Sequence, residues 1–97
     1  MPAYIVADIE IVDHEAFADY RERVPAVIAA YGGRYLVRGG GSRVVEGAWQ
    51  PRRMVILEFP TMASLERFLE SPEYRPLREL RARAAKTNLV VFEGVQR

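Results

Sequence analysis

Tyr31-Gly32-Gly33-Arg34-Tyr35-Leu36-Val37-Arg38-Gly39-Gly40-Gly41 holds five of the chain's seven glycines, and its punctuation decides the fold. Gly32 follows an apolar helical stripe, where helices commonly end on a residue at positive φ. Residues 34–38 alternate, which puts Tyr35 and Val37 on one face of a strand and Arg34, Leu36 and Arg38 on the other. The glycines from 39 to 41 then break or bulge that strand. A helix stop, a short strand and a flexible corner therefore follow one another within eleven residues.

On the N-terminal side, Phe17, Tyr20, Val24, Val27 and Tyr31 recur at steps of three and four. This spacing predicts a helix over residues 14–31 with one apolar stripe. Asp13 is placed to cap it, and Glu15 suits the positive end of its dipole. Pro25 lies inside the pattern and predicts a kink near residues 21–25. Further back, residues 3–12 alternate, with Ala3, Ile5, Ala7, Ile9 and Ile11 on one face of a strand.

On the C-terminal side, residues 42–46 read as a short, weakly marked strand and residues 47–51 as a loop carrying Trp49. Residues 53–59 form a strand apolar on both faces, the pattern of a central strand covered on both sides. Glu58 is its only charge past the start. Thr61 opens a helix with Leu65, Phe68 and Leu69 inward, and Ser71-Pro72-Glu73 marks a second helix start. Tyr74, Leu77, Arg81 and Ala84 share a stripe beyond it, and residues 87–95 form the last strand.

The order strand, helix, strand, strand, helix, strand predicts an α+β chain of ferredoxin-like βαββαβ topology. Its four-stranded antiparallel sheet would carry helices on one face, in a single domain over residues 1–97. Strands apolar on both faces leave the helix-free side greasy, and large exposed apolar patches are rare in monomers. A homodimer packed through the open sheet face is the economical solution.

Composition narrows the function. A net charge of +1 argues against a nucleic-acid surface. The absence of cysteine excludes disulfides and thiolate chemistry, and a single histidine makes a zinc or copper site unexpected. No metal or cofactor is expected. Residues 1–10 lack the basic and apolar regions of a signal peptide, and no run approaches a membrane span, so a cytoplasmic location without membrane attachment is expected. The triple glycine has no helix after it and no Gly-Lys-Ser/Thr, so it is not a phosphate loop.

Arg38 and Glu58 each sit near the end of an apolar strand, where an unpartnered charge is costly. Arg38 suits a ligand carboxylate or enolate, with Glu58 as the catalytic proton carrier. The alternative is a structural ion pair, with each other or with Asp8 or Glu10. Tyr20, Tyr35, Trp49 and Tyr74 offer aromatic bodies with polar tips for a flat substrate, and Arg81 is placed to receive an anion.

The run through the glycines, with Glu46-Gly47, Trp49-Gln50-Pro51, Arg53, Glu58-Phe59-Pro60 and Ser71-Pro72-Glu73-Tyr74, resembles the domain-of-unknown-function family 1330. The resemblance covers nearly the whole chain and implies the dimeric α+β barrel superfamily. Relatives there include cofactor-free monooxygenases, lactone isomerases and polyketide cyclases, alongside haem-binding members. The family itself comes with no settled reaction, and one of two functional classes is a cofactor-free small-molecule enzyme acting by acid–base chemistry on an aromatic or acidic substrate. The alternative is a non-catalytic ligand-binding or assembly module whose polar residues are structural.

Overall fold

The computed structural model describes residues 1–96. Its elements are β1 (Ala3–Ile11), α1 (His14–Ala30), β2 (Arg34–Arg38), β3 (Arg53–Phe59), α2 (Met62–Glu70), α3 (Arg75–Ala84) and β4 (Ala85–Glu93). The strands form one antiparallel sheet in the order β2-β3-β1-β4, the ferredoxin-like arrangement. No helix among the described residues is long and apolar enough to cross a membrane.

Alternation in β1 does what the sequence asks. Ala3, Ile5, Ala7 and Ile9 are buried beneath the helices. Opposite them in β3 stand Phe59, Leu57, Val55 and Arg53. Tyr4, Val6 and Asp8 face the other way with Glu58, Ile56 and Met54 beside them. On that open face Val37, Val90 and Phe92 are exposed.

The Asp13 carboxylate caps α1 by accepting from the Ala16 N–H at 3.1 Å, and Gly32 ends the helix at φ 84°. Between those ends the chain stays helical through Pro25. Thr61 and Ser64 cap α2 reciprocally. Ser71 both ends α2 and caps the turn that leads into α3: its hydroxyl donates to the Phe68 carbonyl and accepts from the Tyr74 N–H, its carbonyl accepts from the Arg75 N–H at 3.2 Å, and regular helix resumes at Arg75.

Residues 42–46 are not a strand. Val44 and Val45 are both exposed, so no buried face exists there to fix a register. A second departure lies in β2, whose pairing with β3 slips between Tyr35 and Val37. The extra residue inverts the alternation beyond it. Tyr35 and Arg38 therefore share the helix-side face, opposite Leu57 and Val55, whereas Arg34 and Val37 share the open face, opposite Glu58 and Ile56.

The core has two parts. One gathers Ile5, Val24, Ile28, Leu57, Phe59, Leu65, Phe68, Tyr74 and Leu77; the other gathers Ala7, Ile9, Phe17, Ala84 and Ala85. Tyr20, Val55 and Leu89 pack against both. A cleft opens along that seam.

Candidate functional site: an arginine-lined cleft between helices and sheet

The cleft is floored by Ile5, Ala7, Ile9, Val55, Leu57 and Leu89 of the sheet and walled by Phe17, Tyr20 and Val24 of α1. Counted at the positions open to a water's centre, its volume is about 40 Å³, room for about three waters. Four arginines line it: Arg21, Arg38, Arg53 and Arg81. Among the described residues, no aspartate, glutamate, histidine or lysine does.

Three of the four guanidiniums are held by local devices. Pro25 has no N–H, which leaves the Arg21 carbonyl without its helical donor. Arg38 Nη2 donates to that carbonyl at 3.1 Å, and its Cζ lies 4.6 Å from the Tyr35 ring centroid. Arg53 sits 5.6 Å from the Phe17 centroid, against the backbone of Gly39. Gly39 has φ 66°, which favours glycine, and a Cβ there would come within 2.5 Å of the Arg53 Cζ and displace its guanidinium. Burial, and then the charges of Arg21 and Arg38, push the Arg53 pKa down.

Arg81, 9% exposed, lies at the buried end, where Nη1 donates to the Tyr74 hydroxyl and, at 3.4 Å, to the Tyr20 hydroxyl. Burial, reinforced by the neighbouring Tyr74 hydroxyl, raises the Tyr20 pKa, so this phenol stays protonated at neutral pH. Burial also raises that of Tyr35. The Nε atoms of Arg53 and Arg81 are buried without a partner.

Of the residues singled out from sequence, Tyr20, Tyr35, Arg38, Tyr74 and Arg81 meet in this cleft. Glu58 and Trp49 do not. Glu58 accepts from Arg34 Nε at 2.8 Å, with Arg34 Nη2 2.6 Å away, on the opposite side of the sheet. It therefore stands across the sheet from Arg38. Trp49 is 65% exposed, and its indole N–H donates to Asp8 Oδ2 at 3.2 Å while the Arg52 N–H donates to Oδ1 at 2.9 Å. These contacts fold the loop back over the open face and bound a second hollow of about 240 Å³. That hollow is larger, but its walls mix Asp8 and Glu10 with Arg52 and Lys86, so its charges balance. The unbalanced cations of the smaller cleft make it the stronger candidate. Arg21 and Arg53 were missed from sequence, although Arg21 stands four residues after Phe17 and three before Val24; the room that Gly39 leaves for Arg53 shows only in the fold.

The profile of a family described as a domain of unknown function, DUF1330, matches residues 2–95. The chain belongs to that family. Among solved structures, a protein of unknown function from Rhodopseudomonas palustris, RPA0582, is similar at 19% identity and TM-score 0.75 over 99% of this chain and 84% of that one. A dimeric ferredoxin-like protein of unknown function from Jannaschia sp. CCS1 is similar at 15% identity and TM-score 0.67, over 97% and 100% of the two chains. SnoaB, a cofactor-independent oxygenase from Streptomyces nogalater, is similar at 13% identity and TM-score 0.64, over 99% and 95%. These identities carry the fold alone. No curated protein matches the chain in sequence.

Proposed function

We propose that this DUF1330 chain takes a small organic acid with a flat apolar body into the helix–sheet cleft and converts it by cofactor-free chemistry. The observation that carries the reading is the lining: four guanidiniums in an apolar, aromatic pocket with no carboxylate in its walls. Arg81 is buried and Arg53 partly so; burying cations without counter-charge is costly, and a bound anion relieves that cost. Arginine's planar fork suits carboxylate and enolate oxygens, and Phe17, Tyr20 and Tyr35 supply faces for the apolar body.

Such a site stabilises an oxyanion more than its neutral parent, and so makes an enol or phenol of the ligand more acidic. The walls hold no side chain suited to accept a proton at neutral pH, so the proton leaves to solvent at the mouth. Glu58, across the sheet, is given no part in this subunit's cleft. Fold-level likeness to a cofactor-independent oxygenase supports the reading. The open face, with Tyr4, Val6, Ile56, Val90 and Phe92, is the surface for a homodimer, as similar structures described as dimeric also favour.

Calorimetric titration with benzoate and benzamide, matched in shape and different in charge, tests the reading. Benzoate should bind at least about tenfold tighter, with an affinity that falls as salt rises. Equal binding of the two, or no binding of benzoate, overturns it. The same absence of a proton acceptor favours a second reading, binding without turnover. Mass spectrometry of bound acids after incubation in air separates the two by the presence or absence of product.

A further inference from the structure

We infer that the ligand of this cleft is two-headed: a flat acid with its carboxylate at the Arg21–Arg38–Arg53 mouth and a hydroxyl or enol oxygen at the Tyr20–Tyr74–Arg81 end. The inference rests on the anion-binding reading above and gives it an orientation.

The geometry starts with two neighbouring rings of α1. Phe17 and Tyr20 have centroids 5.5 Å apart and form one aromatic wall. Each ring carries its own cation: Arg53 lies 5.6 Å from the Phe17 centroid, and Arg81 lies 5.8 Å from that of Tyr20. A flat molecule lying along this wall meets a guanidinium at either end. Both guanidiniums have a buried Nε–H with no acceptor, so each has a donor left to give.

The company each cation keeps differs. Around Arg53 stand Arg21 and Arg38, whose positive charges act on it, and Arg38 and Arg21 are exposed at the surface. Three cations at an open mouth suit a full negative charge, and exposed side chains there can shift to admit a body larger than the waters the cleft now accommodates. Around Arg81 stand two phenols. Its Nη1 donates to both hydroxyls and the Tyr20 hydroxyl also bonds that of Tyr74, which leaves one phenol proton to be given elsewhere. A buried site offering O–H and N–H donors with a single cation suits a hydroxyl, enol or partly charged oxygen.

Titration with 4-hydroxybenzoate beside benzoate and phenol tests the arrangement. The wild-type chain should bind 4-hydroxybenzoate at least about tenfold tighter than either single-headed ligand. Tyr74→Phe should erase the advantage over benzoate while leaving benzoate binding in place, and Tyr20→Phe should reduce it. Arg53→Gln should weaken both acids together and keep the advantage of the hydroxyl. Circular dichroism establishes that each variant is folded, and the two tyrosine variants keep the test from resting on one. If the hydroxyl brings no advantage in the wild type, or both tyrosine variants retain it, the two-headed ligand is overturned while benzoate binding still upholds an anion site. If no acid binds, both readings fall together.

Discussion

The two sides of the sheet treat charge in opposite ways. On the open side Arg34 is paired with Glu58, and Asp8 is committed to Trp49 and the Arg52 backbone. On the helix side Arg38, Arg53 and Arg81 lie over aromatic rings, and no carboxylate joins them in the cleft. Arg34 and Arg38 are four residues apart on one strand, yet they fall into different regimes because the register slips between them. Paired charge fixes a loop and a strand edge, whereas the unpaired charge in the cleft is what the proposed anion site rests on.

The strongest way to break this contrast is to attack the apolar residues on each side. Phe68→Ala, beneath the helices, should cost about 3–5 kcal/mol of unfolding free energy in denaturant melts. Val90→Asp, half exposed on the open side, should leave the subunit folded but separate the dimer, as light scattering would show. A dimer that survives Val90→Asp places the interface elsewhere.

Pro25→Ala sharpens the comparison. Proline inside a helix is about 3 kcal/mol less favourable than alanine, so the variant should be more stable by up to that amount. The restored N–H reclaims the Arg21 carbonyl, Arg38 loses its acceptor, and benzoate binding should weaken. A variant both more stable and fully binding would remove Pro25 from the site.

Glu58→Gln should change stability by less than about 1 kcal/mol, because Arg34 is largely exposed, and it should leave benzoate binding unaltered. Loss of binding would return Glu58 to the site.

The smallest effect belongs to Tyr31, whose hydroxyl donates to Glu73 Oε2 at 2.7 Å on the exposed helical surface. That bond lowers the Glu73 pKa and raises that of Tyr31. Its contribution is therefore complete between the ordinary values of 4.5 and 10.0. It fades below that window as Glu73 takes up a proton through its lowered pKa, and above it as Tyr31 ionises through its raised one. The stability difference between wild type and Tyr31→Phe should be flat inside the window and shrink on both sides.

Much of the architecture was legible because it rests on local pattern. Alternation in β1 and β3, the stripe of α1 and the Asp13 cap each declare themselves within a few residues. The site was legible only in part. Tyr20, Tyr74 and Arg81 sit on helical stripes whose period nothing interrupts. Arg38 was assigned to the wrong face because the slip in β2 exists only through its pairing with β3, which strand alternation does not encode. Trp49 looked like pocket material until Asp8 drew its loop to the other side. Arg53 was read as the first residue of a strand, since nothing local reveals that Gly39 makes room for its head.

α3 passes into β4 without an intervening residue, and the Ala84 carbonyl at that junction accepts the Val12 and Asp13 N–H groups at 2.8 and 2.9 Å. The splice tolerates no change of length: one added residue would turn Leu89 and Val91 outward and bring Asn88, Val90 and Phe92 beneath the helices. Variation in length among relatives should therefore accumulate in the irregular span from 40 to 48, ahead of the Trp49 and Arg52 bonds to Asp8, which can lengthen or shorten without disturbing that splice.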